Sequence, residues 1–177
     1  AQNLMVDMTP EGLRIQLVDQ EGKPMFETGS AKPMPQAERL LRLIASVVKT
    51  LPNKVSIRGH TDSKAYGKDA SYSNWELSAD RANASRRVML QGDITGRLDL
   101  ARIENVQGKA DREPLVVNDP ESPRNRRISI ILLKQSIVPG VKKATPKKTT
   151  SPDGSVAPLP KQKEEGIVSG AIQKIDA

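Results

Sequence analysis

The chain has 177 residues, a formal net charge of +7, one histidine and no cysteine. This length suits one domain with an extension, and a hydrophobic content of 36% with four aromatic side chains limits the chain to one modest core. The missing cysteines exclude disulfides and thiolate metal sites, and the single histidine argues against a clustered-histidine metal site, so we expect no metal and no other cofactor.

Two alternating segments joined by a turn open the chain. Leu4, Val6 and Met8 alternate with polar residues, residues 9–12 (TPEG) have turn composition, and residues 13–17 alternate again. Alternation on both sides of a Pro- and Gly-containing turn is typical of a β-hairpin.

Helix and strand patterns then follow one another. From Pro35 to Leu51, apolar residues recur at spacings of three and four, which predicts an amphipathic helix. The later patterns predict, in order, a strand over 54–60, a helix over 74–91, a weaker strand over 102–108 and a strand over 126–133. The order β-β-α-β-α-β-β predicts an α+β two-layer sandwich, in which two main helices pack on one face of a mixed β-sheet.

The end of the chain differs in composition from the rest. Residues 134–177 carry a charge of +4 against +3 for residues 1–133, and they are rich in Pro, Lys, Thr and Ser without a period. We therefore expect a disordered basic tail over 135–177, behind a core over 31–134 on which an N-terminal hairpin and connector, 1–30, is packed. Basic charge without stacking aromatics argues against nucleic-acid binding.

No apolar stretch is long enough for a membrane span, and no signal peptide is visible. The sequence begins with alanine and enters a strand pattern at once. We expect a fragment or processed chain whose anchor or export signal lies upstream.

Arg81 occupies an unusual position in the second predicted helix. At 100° per residue it lies in one stripe with Leu77, Ala84 and Val88, which belong against the sheet. A buried guanidinium cannot lose its proton and needs an anion or several carbonyls, and the nearest candidate anion is Asp62, just past the central strand. Two interpretations stay open. The pair forms a structural ion pair, or it binds a zwitterion, with a carboxylate on Arg81 and an ammonium on Asp62.

The same region argues against catalysis. His60 and Asp62 point the same way along the chain, but no nucleophile accompanies them, and Ser56, Ser63 and Ser78 have the character of surface or capping serines. A zinc hydrolase would need two or three clustered ligands. We expect His60 to lie on the sheet surface with a hydrogen bond to the following loop, and we expect no enzyme activity.

Several short motifs occur in a fixed order over residues 54–133. They are Gly59-His60-Thr61-Asp62, Asn74, Leu77-Ser78, Arg81-Ala82 and Asn125-Arg126-Arg127. This succession resembles the OmpA C-terminal-like family. Residues 12–31 and 72–87 are further similar to the branch of that family found in flagellar stators.

The resemblance implies a non-catalytic periplasmic domain that binds peptidoglycan and anchors the stator to the cell wall. In the family, the residues matching Asp62 and Arg81 hold the diaminopimelate of stem peptides, and Thr61 belongs to the same motif. Asn74 falls near that site, and we also expect it to cap the second helix. Asn125 and Arg127 either border the groove or fix the loop to the last strand.

The stator resemblance carries further expectations. It implies a homodimer, assembly with the stator protein MotA, and an upstream transmembrane helix in the inner membrane. The alternative is another OmpA-like wall anchor, such as a Pal-like lipoprotein or a porin tail, with a cell-wall hydrolase a distant third. The loop after Asp62 is longer than in many members of the family, which leaves the shape of the groove open.

Overall fold

The computed structural model describes residues 3–64 and 71–135, which belong to one compact unit. Its helices and strands are β1 (Leu4–Thr9), β2 (Gly12–Val18), α1 (Pro35–Val48), β3 (Val55–His60), α2 (Asn74–Gln91), β4 (Ile103–Gly108) and β5 (Arg127–Leu133). Short 3-10 helices, Leu100–Arg102 and Pro123–Asn125, precede β4 and β5. This order of elements is the predicted one. The tail was expected to be disordered over 135–177, and its residues from 136 onward lie outside the described part of the chain.

The strands form one mixed sheet in the order β1-β2-β5-β3-β4. All neighbouring strands are antiparallel except β3 and β4, which are parallel. A parallel pair needs a crossover connection, and α2 supplies it. The predicted α+β class, with two helices on a mixed sheet, is confirmed. Because β2 is hydrogen-bonded to β5, the N-terminal hairpin is part of this sheet.

The two faces of the sheet bury different kinds of side chain. The helix side contributes apolar residues, including Leu17, Ile57 and Ile130, which form the core with Leu41 and Ile44 of α1 and Met89 of α2. The other side buries polar residues, including Gln16, Ser56, His60 and Ser129. The strand alternation is therefore apolar toward the helices and mostly polar away from them, where Val18 and Ile131 are buried apolar exceptions.

Helix α1 begins where predicted and ends earlier. Pro35 occupies the first helical position, where its missing N–H has no intrahelical acceptor. The helix ends at Val48, and the N–H groups of Thr50 and Leu51 donate to carbonyls three residues back. Val47 and Leu51 remain exposed, so the apolar pattern extends beyond the buried face of the helix.

The cap of α2 is one residue earlier than expected. Ser73, and not Asn74, is the N-cap, and it forms a capping box with Glu76. Asn74 instead uses its side chain to hold the preceding loop, as described below. Of the described helices, none is both long and apolar enough to cross a bilayer.

His60 is buried and does not lie on the sheet surface as expected. It is 3% exposed, its Nε2 lies 3.3 Å from Ser129 Oγ, and its Nδ1 has no hydrogen-bond partner among the described residues. The loop that follows β4 comes close at this point, since Thr61 N–H donates to Ala110 O. Burial, followed by the positive charge of Arg127, lowers the pKa of His60 from 6.5 to about 3.

This burial predicts a pH-dependent stability. Between pH 6.5 and pH 3 the unfolded chain takes up a proton on His60 that the folded chain does not, so stability falls as the pH falls through this window. From pH 7 to pH 5 this proton uptake should lower the free energy of unfolding by about 2 kcal/mol. Because the chain has one histidine, His60→Gln should remove this contribution to the pH dependence in urea titrations at the two pH values. An equal slope in wild type and variant would contradict the assignment.

Candidate functional site

A cavity of about 370 Å³ opens beside the C-terminal end of β3 and the first turns of α2. Its lining comes from the connector between β2 and α1, the loop after β3, α2 and the residue before β5. The lining residues are Asp19, Pro24, Phe26, Thr28, Gly29, Thr61, Asp62, Lys64, Asn74, Leu77, Arg81 and Arg126. Four of the six predicted site residues, Thr61, Asp62, Asn74 and Arg81, are thus brought together.

Asp62 is held in place by an arginine that the sequence reading did not select. Arg126 Nη1 donates to Asp62 Oδ2 at 2.8 Å, and Arg126 Nε donates to Asp19 Oδ2 at 2.9 Å. The other Asp62 oxygen accepts the N–H of Lys64 at 3.2 Å. One guanidinium therefore bridges two carboxylates at the wall of the cavity.

Arg81 is 5% exposed and bonds to backbone carbonyls. Its Nε donates to Ser30 O at 2.9 Å, its Nη2 donates to Glu27 O at 3.3 Å, and its guanidinium carbon lies 5.1 Å from the centroid of the Phe26 ring. No ion pair joins Arg81 to Asp62 or to any other described carboxylate, and Asp62 is paired with Arg126 instead. The first of the two interpretations above, a structural ion pair between Arg81 and Asp62, is therefore wrong. Burial lowers the pKa of Arg81, and the negative charges of Asp19 and Asp62, which do not contact the guanidinium, oppose that shift only in part.

Thr61 and Asn74 complete the rim. Thr61 Oγ1 is buried without a hydrogen-bond partner in the described part of the chain, a condition that costs free energy unless a ligand or water fills it. Asn74 Nδ2 donates to Lys64 O at 2.9 Å and to Asp62 O at 3.3 Å, so it ties the loop after β3 to the start of α2.

Asn125 and Arg127 are not among the lining residues. Asn125 is fully buried, and its side chain accepts from Val116 N–H and donates to Asp119 O and Pro120 O. Arg127 lies on the polar side of the sheet, where it donates to Gln16 Oε1 and Glu113 O. These contacts match the second interpretation above, in which both residues fix the loop to the last strand.

Sequence reasoning missed Asp19 and Arg126, although strand alternation contained a signal for both. Asp19 lies two positions after Leu17, and Arg126 lies two positions before Ile128. Leu17 and Ile128 face the helices, and side chains two positions apart along a strand point to the same face, so Asp19 and Arg126 also point to the helix side of the sheet. The N–H of Asp19 donates to Arg126 O at 3.0 Å, one step beyond the Val18–Arg127 pair. Both side chains therefore emerge together at the end of the sheet next to α2.

The charges of the cavity suit a ligand with both signs. Asp19 and Asp62 balance Arg81 and Arg126, and Lys64 adds a further cation at the rim. Arg81 has no anionic partner among the described residues, and Phe26, Pro24 and Leu77 provide apolar walls. The arrangement can accept a carboxylate on Arg81 and an ammonium near Asp62, on a short apolar stem. No group of three His, Asp or Glu side chains within residues 3–64 and 71–135 could hold a metal.

The fold and this cavity define an OmpA-type domain, and the chain belongs to the OmpA family, whose model matches residues 25–127. Over 134 residues, 75% of this chain, it is 45% identical to Motility protein B of Escherichia coli (strain K12). The chain spans 42% of the length of that relative.

Solved structures agree with this fold. The cell wall anchor of the T6SS from Pseudomonas aeruginosa superposes with a TM-score of 0.60 at 26% identity, over 76% of this chain and 90% of that one. The periplasmic domain of Helicobacter pylori MotB (residues 90-256) superposes with a TM-score of 0.63 at 21% identity, over 76% of this chain and 82% of that one. At that identity the second likeness concerns the fold alone.

Proposed function

We propose that this chain is a non-catalytic, peptidoglycan-binding domain that anchors a flagellar stator to the cell wall from the periplasm. Its cavity holds the diaminopimelate of a stem peptide, with the free carboxylate on Arg81 and the adjacent ammonium on Asp62. Thr61 Oγ1 and Asn74 line the same cavity and provide further hydrogen-bonding groups. Asn125 and Arg127 support the loops and do not contact the ligand.

The observation that carries this proposal is that Arg81 is buried in the cavity wall and contacts no carboxylate of the described chain. A guanidinium that is 5% exposed, bonded to two carbonyls and without a carboxylate partner among the described residues has a strong affinity for an anion. Asp62 lines the same cavity and offers the opposite charge. The similarity to Motility protein B and to a solved cell wall anchor supports the choice of peptidoglycan as the ligand.

The test is co-sedimentation of the purified domain with cell-wall sacculi. The protein should pellet with sacculi that contain diaminopimelate, and a soluble tripeptide ending in diaminopimelate should release it. The same tripeptide with lysine in place of diaminopimelate lacks the second carboxylate and should not compete. Pelleting that neither peptide affects would refute the site, and release of soluble wall fragments would favour the hydrolase instead.

We further propose that the domain forms a homodimer through an apolar surface made by β1 and α1. Val6 and Met8 on β1 and Leu43 and Val47 on α1 are each more than half exposed. Val6 and Met8 pair with Ile15 and Leu13 and share their helix-side face. They lie at the edge of the sheet away from β3 and β4, which α2 contacts. Within the described sheet β1 is an edge strand, so the backbone N–H and C=O groups on its outer side can pair with the β1 strand of a two-fold partner.

The double variant Met8→Lys/Val47→Lys should therefore be monomeric at concentrations where the wild type is dimeric, because a charge on each side of the contact would have to be buried. Sedimentation equilibrium measures this. Ile94→Lys, at a fully exposed apolar position after α2, is the matched control and should leave the dimer intact. A wild type that stays monomeric, or a dimer that survives the double substitution, would contradict this proposal.

The whole protein is proposed to assemble with MotA and to be held in the inner membrane by an upstream helix. The stretch shared with Motility protein B supports a stator over a Pal-like lipoprotein or a porin tail. Co-purification of the full-length protein with MotA from detergent-solubilised inner membranes tests this assignment. Recovery in the outer-membrane fraction without MotA would favour the alternative.

A further inference from the structure

Asp19 connects the two halves of the cavity. It is 3% exposed and uses both of its oxygens, one on Arg126 Nε at 2.9 Å and the other on the N–H of Met25 at 2.6 Å. Arg126 in turn holds Asp62. Met25 begins the part of the connector whose carbonyls, from Glu27 and Ser30, hold Arg81. One buried carboxylate thus contacts the supports of both proposed ligand-binding groups.

The sharing of Arg126 has an electrostatic consequence. A guanidinium bound to Asp62 alone would cancel most of the negative charge that an incoming ammonium group needs. Because Asp19 takes the Nε side of the same guanidinium, the positive charge of Arg126 is divided between two carboxylates. Asp62 therefore keeps negative potential toward the cavity, on the opposite side from the carboxylate-binding guanidinium of Arg81.

We propose that Asp19 is a specificity-determining positioning residue, which keeps Asp62 able to bind an ammonium group and so makes the cavity select zwitterionic over purely anionic head groups. This inference rests on the proposed function, since it names what sets the selectivity of the same site. Asp19 acts through Arg126 and the connector and needs no contact with the ligand. A merely structural role would weaken all ligands together, whereas this role changes their ratio.

The experiment compares two peptides by titration calorimetry. The first is a tripeptide ending in diaminopimelate. The second is the same peptide with the side-chain amine of the diaminopimelate acetylated, so that this head group keeps its carboxylate and becomes an anion. Wild type should prefer the first. Asp19→Asn should reduce that preference about tenfold, because one unit charge acts over a few ångströms in a partly desolvated site. Arg126→Gln should change the ratio in the opposite direction, because it removes a positive charge beside Asp62.

Asp7→Asn is the matched control, since Asp7 is another aspartate bound by an arginine, Arg14, and lies on the edge strand β1 outside the cavity lining. It should leave the ratio unchanged. Circular dichroism and thermal melting report whether each variant folds, and Arg126→Gln alone still tests the sign if Asp19→Asn does not fold. Equal ratios in wild type and folded variants, or unfolding of both variants, would overturn the inference. Failure of wild type to bind either peptide would instead refute the proposed function.

Discussion

Replacing Arg81 with alanine should abolish co-sedimentation of the domain with sacculi. The guanidinium is a buried cation of the cavity that contacts no described carboxylate, and its bonds to a ligand carboxylate would be charge-assisted in a partly desolvated site. Such bonds contribute about 1.5–3 kcal/mol each. Loss of one bond should therefore weaken the affinity of a single site by about tenfold to a hundredfold. Pelleting against a range of sacculus concentrations measures the loss.

A substitution that keeps the charge separates electrostatics from geometry. Arg81→Lys retains a cation but cannot donate to Ser30 O and Glu27 O while presenting a fork to the ligand, so we expect an intermediate affinity. Arg87→Ala is the matched control, because Arg87 lies on the same helix, is exposed and does not line the cavity. If Arg81→Ala pelleted like Arg87→Ala while both stayed folded, the assignment of the site would be wrong.

The size of the effect depends on valency as well as on the single site. One zwitterion held by two charged groups should bind only weakly, because each bond replaces one with water. A dimer that faces a polymer with repeated epitopes gains effective concentration and can hold far more firmly. Loss of Arg81 acts at both sites of such a dimer, which is why pelleting should respond more strongly than the affinity for a soluble peptide. Weak single sites would also allow an anchor to exchange.

The sequence predicted the part of the site that local geometry determines. Helical periodicity was enough to put Arg81 on the buried stripe of α2 with Leu77, Ala84 and Val88, all of which are buried. Strand alternation was enough to end β3 just before Asp62. Both rules act within one element, so they need no knowledge of how the elements pack. The same rules gave the order of strands and helices along the chain.

The partners of these residues could not be predicted, because they depend on pairings distant in sequence. Asp19 and Arg126 are 107 residues apart, and they meet only because β2 and β5 are neighbours in a particular register. The carbonyls of Glu27 and Ser30 that hold Arg81 carry no side-chain signature at all. Charged side chains alone therefore point to Asp62 as the partner of Arg81, whereas in the structure backbone carbonyls accept the hydrogen bonds of Arg81.

Replacing Gly59 with alanine should destabilise the domain by about 3 kcal/mol or more, since overpacking against atoms that cannot move aside is at the high end of such costs. A Cβ at this position would lie 1.9 Å from Ser78 O and 2.9 Å from Ser78 C, both backbone atoms of α2. The glycine of the Gly-His-Thr-Asp motif is thus explained by the close approach of α2 to β3. Urea titration of the folded domain measures the change.

Two further variants identify the cause of that loss. Gly22→Ala is the control, because no described residue beyond its chain neighbours lies within 4 Å of the added Cβ. Only the positive φ of +72° opposes the substitution, which should cost about 1–2 kcal/mol. Adding Ser78→Ala to Gly59→Ala should bring no recovery, because the colliding atoms belong to the backbone. A stable Gly59→Ala variant would mean that α2 can move away from β3. Arg81 would then move with the helix, and the separation between the two charges on which zwitterion binding depends would not be fixed by the fold.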